Sequence, residues 1–167
     1  MINTVCFHSP DEINGYLSNW YPSVFVADGI TFTSMEQYMM YKKAVLFRDD
    51  KAAAKILSIT DVGKIKALGR RVKGYNDTVW NGVRQIIVYN GLLEKFRQNP
   101  ALCEKLLATG EDILAECAVS DKIWGIGLSM HSKDRFDVQK WQGKNLLGYA
   151  LMMVRNALKT DNDKRGK

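Results

Sequence analysis

The spacing of apolar residues along the chain predicts a protein that is mostly helical. The longest predicted helix follows the capping residue Asn76, and its apolar positions are Val79, Trp80, Val83, Ile86, Ile87, Leu93 and Phe96. They recur every three or four residues, which is the spacing of one helical face. Asn99-Pro100 ends this helix, because proline favours the first turn of a new helix, which we expect to reach about Ala108.

Capping residues and strong helix formers predict four more helices. We expect them over Ser34–Phe47, Asp50–Leu57 and Thr60–Leu68, and from Lys144 or Asn145 through Leu158. Ser34 with Gln37 three residues later fits a capping box. Gly69 is expected to end the third of these helices.

Short strands are predicted where β-branched and aromatic residues cluster between turn residues. The expected strands are Thr4–Phe7, Val24–Ala27, Ile30–Phe32 and Ile113–Ala118. Asp28-Gly29 is a good hairpin turn between the second and third. The fold class is therefore predicted to be mainly α with a small β element.

Length and composition favour one globular domain. The chain has 167 residues, of which 46% are hydrophobic and 25% charged, and this composition excludes a disordered chain. No repeat or Pro/Ser-rich linker divides it. We predict one domain over residues 1–158, a polar tail over residues 159–167, and a monomer.

Cysteine and hydropathy patterns predict a cytoplasmic protein with no membrane segment. No stretch reaches the roughly 18 unbroken apolar residues of a membrane helix, and the first residues lack the apolar run of a signal peptide. Cys6, Cys103 and Cys117 are scattered, which favours reduced thiols. With only His8 and His131 beside them, we expect no metal site. No cofactor is expected.

The formal net charge is +6. A basic surface of this kind can serve solubility alone, or it can attract phosphates, nucleotides or nucleic acid. Charge alone does not separate these alternatives.

Glu36 and Lys43 are the first candidates for chemistry. They lie seven residues apart and so project from one face of the first predicted helix. A carboxylate and an amine in this arrangement could line one wall of a pocket. The alternative is structural: the helix dipole favours a glutamate in the first turn, and a lysine can extend to solvent.

Two further segments could approach a ligand. In the first, Asp121 precedes Trp124-Gly125-Ile126-Gly127, a tight loop that could place an indole against a base. It lacks the third glycine of a dinucleotide fingerprint, and a structural turn is the alternative. In the second, Lys144 and Asn145 stand at a helix start, which can bind phosphate or be an ordinary cap.

Arginines near Gly69 and Trp80 could bind phosphate oxygens. Arg70 and Arg84 are the candidates, with Arg71 and Lys73 beside them, and a solvated basic face is the alternative interpretation.

Taken in order, the motifs resemble the NADAR domain family, also called YbiA-like. The matching stretches include Leu17-Ser18-Asn19-Trp20, Thr33-Ser34-Met35-Glu36-Gln37-Tyr38, Lys43-Ala44, Leu68-Gly69-Arg70, Trp80, Leu114 with Glu116, Asp121, Trp124-Gly125-Ile126-Gly127 and Gly143-Lys144-Asn145-Leu146-Leu147-Gly148. They span about Phe7 to Leu158. Each motif is weak alone, but their order and spacing are specific.

The resemblance implies a helical single-domain hydrolase of N-glycosidic bonds to ribose. Two substrates are associated with the family: phosphorylated riboflavin-pathway intermediates, and guanine bases carrying ADP-ribose in nucleic acid. The alternatives are a non-catalytic ADP-ribose or nucleotide-binding module and a plain nucleic-acid-binding protein.

The resemblance also suggests roles for individual residues. It implies Glu36, Lys43 and Asp121 for catalysis, and Asn19, Trp80, Trp124, Gly125, Gly127, Lys144 and Asn145 for substrate binding. Residues 128–142 depart from the pattern, because this stretch is expected to be longer than in compact members. It could be a substrate-specific lid or a base-recognition loop.

The expected chemistry develops positive charge on the sugar ring, which a carboxylate near the anomeric carbon would stabilise. Glu36 is the first choice, with Asp121 as a second carboxylate. Lys43 has two possible roles: it binds phosphate or ribose hydroxyls as an ammonium, or it attacks the sugar carbon as an amine.

Overall fold

The computed structural model describes residues 2–165, with side chains to residue 161. The strands are β1 (Thr4–Phe7), β2 (Phe25–Ala27), β3 (Ile30–Phe32) and β4 (Ile113–Glu116). The helices are α1 (Met35–Leu46), α2 (Asp50–Leu57), α3 (Val62–Gly69), α4 (Asp77–Gln98), α5 (Pro100–Ala108) and α6 (Leu146–Arg165). Helix accounts for 53% and strand for 9% of the residues, which confirms the predicted fold class.

The chain forms two compact units. The middle unit is Pro22–Asn99, and the terminal unit combines residues up to Tyr21 with those from Pro100 onward. The prediction of one domain over residues 1–158 stays a prediction.

In the middle unit, β2 and β3 form the expected antiparallel hairpin across Asp28-Gly29, with Phe25 opposite Phe32. Both rings are buried and lie 5.9 and 5.2 Å from the Tyr38 ring of α1. The side-chain amide of Gln98 pairs with Val26 at 2.8 and 2.7 Å, in the way a neighbouring strand would. This amide satisfies backbone groups at the edge of the hairpin.

The start of α1 is fixed by Ser34 and Gln37. The Ser34 hydroxyl accepts the Gln37 N–H at 3.1 Å, as expected for a cap. The Gln37 side chain differs from the expected capping box, because it accepts from the Thr33 N–H and donates to the carbonyls of Ile56 and Ile59. This buried amide therefore ties the first turn of α1 to the end of α2.

Two glycines allow helices of the middle unit to pack closely. A Cβ at Gly69 would lie 1.8 Å from the Met40 sulfur, and a Cβ at Gly91 would lie 2.4 Å from the Tyr38 ring. The second contact brings α4 against the face of α1 that carries Tyr38. The helix α3 begins at Val62 rather than Thr60, because Asp61 caps it by accepting the Lys64 N–H.

In the terminal unit, β1 and β4 pair in parallel, with Cys6 opposite Ala115. The strand β4 ends at Glu116, two residues before the predicted end, because the Ala118 N–H turns back to the Glu116 carbonyl. Helix α6 packs on β4, and a Cβ at Gly148 would lie 2.0 Å from the Leu114 carbonyl oxygen. Only glycine fits at this crossing.

The last helix extends beyond the predicted end. It reaches Arg165 rather than Leu158, and so includes most of the predicted polar tail. The Lys159 ammonium donates to the Gly110 carbonyl and to the Glu111 carboxylate, which holds this turn of α6. Within residues 2–165, no helix is long and apolar enough to cross a membrane.

Candidate active site

Glu36 lies in the first turn of α1 and is only 3% exposed. Its neighbours Met35 and Gln37 are buried as well, so this end of the helix lies inside the middle unit. Because Glu36 is buried, it is not a solvated glutamate whose only role is to complement the helix dipole. A carboxylate is costly to bury, and such groups are often functional.

Lys43 is half-buried, two turns further along α1. Its ammonium nitrogen lies 4.2 Å from the centre of the Tyr75 ring and 5.8 Å from the Trp80 ring. Burial lowers the pKa of Lys43, while the carboxylates of Glu36 and Asp77 act in the opposite direction. Lys43 therefore lies over aromatic rings and does not simply extend to solvent.

Two residues of this cluster were missed by the sequence analysis. The Tyr75 hydroxyl donates to the Asp77 carboxylate at 2.8 Å, and the Tyr75 ring packs against Phe47 at 5.4 Å. Burial, followed by the hydrogen bond to Asp77, raises the pKa of Tyr75. The sequence contains one indication of these two residues, because an aromatic and an acidic residue flank the predicted helix cap Asn76.

Trp80 and Arg84 lie one turn apart on α4, and both are buried. They share the N-terminal half of α4 with Asp77, so the middle unit brings Glu36, Lys43 and Trp80 into one region. Arg70 differs, because it is exposed at the end of α3.

In the terminal unit, Asp121 organises the loop that contains Trp124. One carboxylate oxygen accepts the N–H groups of Ile123 and Trp124, at 3.1 and 2.9 Å. The Asp121 carbonyl accepts the Gly125 N–H. This aspartate therefore shapes the loop, and its predicted role as a second catalytic carboxylate stays a prediction.

Gly125 and Gly127 are buried where two stretches of backbone meet. A Cβ at Gly143 would lie 2.2 Å from the Gly125 carbonyl oxygen, and Gly127 has a positive φ of 73°. The Gln142 N–H donates to the Ile126 carbonyl at 2.8 Å. Residues 128–142 therefore begin and end at the same place. We call this junction the neck; it is formed by Gly125–Gly127 and Gln142-Gly143.

Asn145 is fully buried and holds β4 to the start of α6. Its amide nitrogen donates to the Leu114 carbonyl at 2.8 Å, and its amide oxygen accepts the Glu116 N–H at 3.1 Å. Its left-handed φ of 51° is one that asparagine tolerates well. Lys144 is exposed, and its N–H donates to the Lys122 carbonyl.

Asn19 carries a polar atom that the described residues leave unsatisfied. The side chain is 5% exposed, and its Oδ1 accepts no hydrogen bond within the described part of the chain. Buried polar atoms in proteins nearly always find a partner. Among the described residues there is also no cluster of three or more metal-binding side chains.

Comparison with known proteins shows the family of this chain. The model of the NADAR domain family matches residues 6–159. An N-glycosidase of Acanthamoeba polyphaga mimivirus is 43% identical over 143 residues, covering 83% of this chain and 84% of that protein. A riboflavin biosynthesis protein of Vibrio vulnificus is 33% identical over 158 residues, which is 95% of this chain and 39% of that protein.

The fold has a counterpart among solved structures. The NMR structure of the Escherichia coli protein YbiA matches with a TM-score of 0.80 at 28% identity, covering 97% of this chain and 89% of that chain. This confirms both the predicted YbiA-like fold and the family resemblance.

Proposed function

The chain belongs to the NADAR domain family and is a hydrolase of N-glycosyl bonds, and on that premise we propose that Glu36 and Lys43 carry the reaction. The observation that carries this proposal is their placement: a buried carboxylate and a half-buried amine on one helix, the amine over two aromatic rings. The substrate is an anionic ribosyl compound, in which ribose C1 is bonded to the nitrogen of a base or amine.

Glu36 acts on the sugar. As the bond between C1 and nitrogen breaks, positive charge grows on C1 and the ring oxygen. A carboxylate that is already desolvated stabilises this charge more strongly than one in water, because the surrounding dielectric is low. The same carboxylate can later take a proton from the water that completes the hydrolysis.

Lys43 acts as an amine nucleophile. Its lowered pKa increases the fraction of neutral amine near neutral pH, which is the form that attacks carbon. The nitrogen of Lys43 bonds to C1, the bond from C1 to the base breaks, and the base leaves with a proton. Opening of the sugar ring gives an imine, which water hydrolyses to free lysine and the released sugar, which keeps its phosphate or ADP group.

Each unit contains polar and aromatic groups suited to substrate binding. Trp80 and Trp124 present indoles suited to stacking on a base. Arg84 and Lys144 supply positive charge for phosphate, and the unsatisfied Oδ1 of Asn19 can accept a hydrogen bond from a ribose hydroxyl. Asn145 positions the loop through its bonds to β4. Asp121 and the glycines of the neck shape the same loop.

Two substrates fit this chemistry: a phosphorylated aminopyrimidine riboside of riboflavin synthesis, and guanine carrying ADP-ribose in nucleic acid. A parallel assay of the purified protein on both identifies the substrate by release of the free base or amine. The Vibrio relative supports the first. The net charge of +6 suits either, since both are anionic.

Borohydride trapping tests the role of Lys43. Enzyme mixed with the cleaved substrate and borohydride should gain the mass of a reduced ribosyl adduct on Lys43. Lys43→Ala should lose the adduct and the activity. Near-normal turnover in Lys43→Arg would instead make the residue a phosphate or hydroxyl ligand, since a guanidinium cannot form the imine.

The competing function is a non-catalytic ADP-ribose or nucleotide-binding module. Such a module would bind ADP-ribose with no release of base from either substrate. That result, obtained with folded protein at high enzyme concentration, would overturn the catalytic roles of Glu36 and Lys43.

A further inference from the structure

We propose that the cavity bordered by the β2–β3 hairpin, α1 and α4 is a second ligand site, which binds a small organic cation such as a protonated amine, amidine or guanidine. The cavity lies within the middle unit. None of Glu36, Lys43, Trp80 and Arg84 lines it, and the proposal does not depend on the hydrolase chemistry.

The cavity has the size and the lining of a small-molecule site. Its volume is about 510 Å³, within the range of about 300–1,000 Å³ that is usual for such sites. Apolar side chains with a few polar groups among them are also usual. Val26, Ile87 and Leu93 supply the apolar surface here, and Tyr38, Asn90 and Glu94 supply polar groups.

The cavity borders a different face of α1 from the proposed catalytic pair. Successive residues of an α-helix are about 100° apart around its axis. Tyr38 therefore projects about 200° away from Glu36, and Lys42 about 100° away from Lys43. A ligand in this cavity would contact Tyr38 and Lys42, which the proposed reaction does not use.

Tyr38 contributes a hydroxyl that is available to a ligand. Its side chain is only 3% exposed, and its ring is held by Phe25 and Phe32 and by the close approach of Gly91. Within residues 2–161 this hydroxyl forms no hydrogen bond. Because Tyr38 lines the cavity, a ligand there can supply the missing partner.

The charges around Tyr38 favour a cation. Burial, and then the carboxylates of Asp28 and Glu94, raise the pKa of Tyr38 to about 12. The phenol therefore stays neutral, and the two carboxylates make the potential around it negative. The Lys42 ammonium lies 5.6 Å from the centre of the Tyr38 ring and pairs with Asp28, so it offsets one of the two negative charges.

Glu94 keeps one carboxylate oxygen for a ligand. The side-chain amide of Gln98 donates to Oε2 at 2.9 Å and orients the group. Oε1 lies 3.7 Å from the Arg97 guanidinium, which is longer than a hydrogen bond. A cation can donate to Oε1 in a charge-assisted hydrogen bond and rest its apolar part on the apolar lining.

Titration of the full-length chain, labelled with nitrogen-15, tests the proposal by NMR. The probe is benzamidine, a flat apolar ring with a planar cation. We expect it to shift the backbone resonances around the cavity saturably, with a Kd of roughly 0.1–5 mM for a ligand of this size. Benzamide has the same shape and no charge, and should bind about threefold more weakly or worse. Benzoate, which is an anion, should not bind.

Two conservative variants remove the groups that recognise the cation. Glu94→Gln keeps an acceptor oxygen for Gln98, and Tyr38→Phe keeps the ring that packs against Gly91. Each should weaken the binding of benzamidine by about three- to tenfold. Spectra without the probe show that both variants are folded.

A third variant should act in the opposite direction. Lys42→Gln removes the charge that offsets Asp28, so it should strengthen the binding of benzamidine by roughly two- to fivefold. Glu104→Gln, an exposed change in α5, should bind like the wild type. The proposal is overturned if benzamidine does not bind, if the three compounds shift the same resonances equally, if the shifts lie away from the cavity, or if Glu94→Gln and Lys42→Gln change the affinity in the same direction.

Discussion

Glu36 meets two requirements of a catalytic carboxylate at the scale of a single residue. It is removed from water, and it lies on a helix whose start is fixed by the Ser34 cap and by the buried Gln37 amide. Fixing the backbone on both sides limits the positions that the carboxylate can take. A carboxylate held in this way needs little reorganisation when charge develops on a sugar.

Replacing Glu36 with Gln should therefore remove activity and preserve the fold. The amide has nearly the same shape but carries no negative charge and is not a base. We expect kcat to fall by about two orders of magnitude or more, with an unchanged circular dichroism spectrum. Glu104→Gln, an exposed change of the same kind, is the matched control. Full activity in Glu36→Gln would remove this residue from the mechanism.

The placement of Glu36 and Lys43 on one helix could be predicted from the sequence, because helical spacing fixes which residues share a face. The contact between Lys43 and Tyr75 could not be predicted. Tyr75 reaches it from outside α1, and no local pattern reports which loop lies against a given helix. The structural role of Asn145 could not be predicted for a similar reason. The oxygen and the nitrogen of its side-chain amide both bond to β4, about thirty residues earlier in the chain.

At the scale of the elements, α4 contains two glycines, Gly82 and Gly91, whose surroundings differ. Gly91 meets the Tyr38 ring of α1, whereas a Cβ at Gly82 would meet nothing within 4 Å. The same substitution therefore has opposite effects at two positions of one helix.

We expect Gly91→Ala to destabilise the protein by about 1–3 kcal/mol, because the added methyl overlaps the ring. Gly82→Ala should stabilise it by about 0.5–1 kcal/mol, because alanine favours helix. Urea denaturation measures both free energies of unfolding. Equal effects at the two positions would mean that α1 and α4 are less closely packed than described.

Helices were predicted well because their signals are local. Caps at Ser34 and Asn76, and the break at Pro100, fall within the elements that they delimit. The pairing of β1 with β4 was not predicted, since Thr4 and Ile113 are far apart in the chain. The end of α6 was missed for the same reason, because the Lys159 contact depends on the distant Gly110.

At the scale of the whole molecule, the excess of positive charge should favour the binding of anionic substrates. The net charge of +6 attracts anionic ribosyl compounds, and added salt weakens this attraction because it screens the charges. The proposed chemistry at C1 involves the buried Glu36 and should respond far less to salt.

We therefore expect KM to rise roughly two- to fivefold between low and physiological ionic strength, with kcat nearly unchanged. Steady-state kinetics over a salt series measures both. An uncharged riboside of the same base serves as the control, and its KM should stay constant. A KM that is insensitive to salt for the anionic substrate would show that the surface charge serves solubility alone.

The close approach of the backbone at Gly125 and Gly143 forms the neck at which residues 128–142 begin and end. The bond from Gln142 to Ile126 joins the two ends of residues 128–142, and Leu128, Met130 and Trp141 of this segment pack against the buried cluster that contains Ile126. We expect changes at the exposed positions of this segment to leave the neck in place, because the bond that closes it is between backbone groups. Changes at Leu128, Met130 or Trp141 should instead uncover the buried cluster and destabilise the terminal unit.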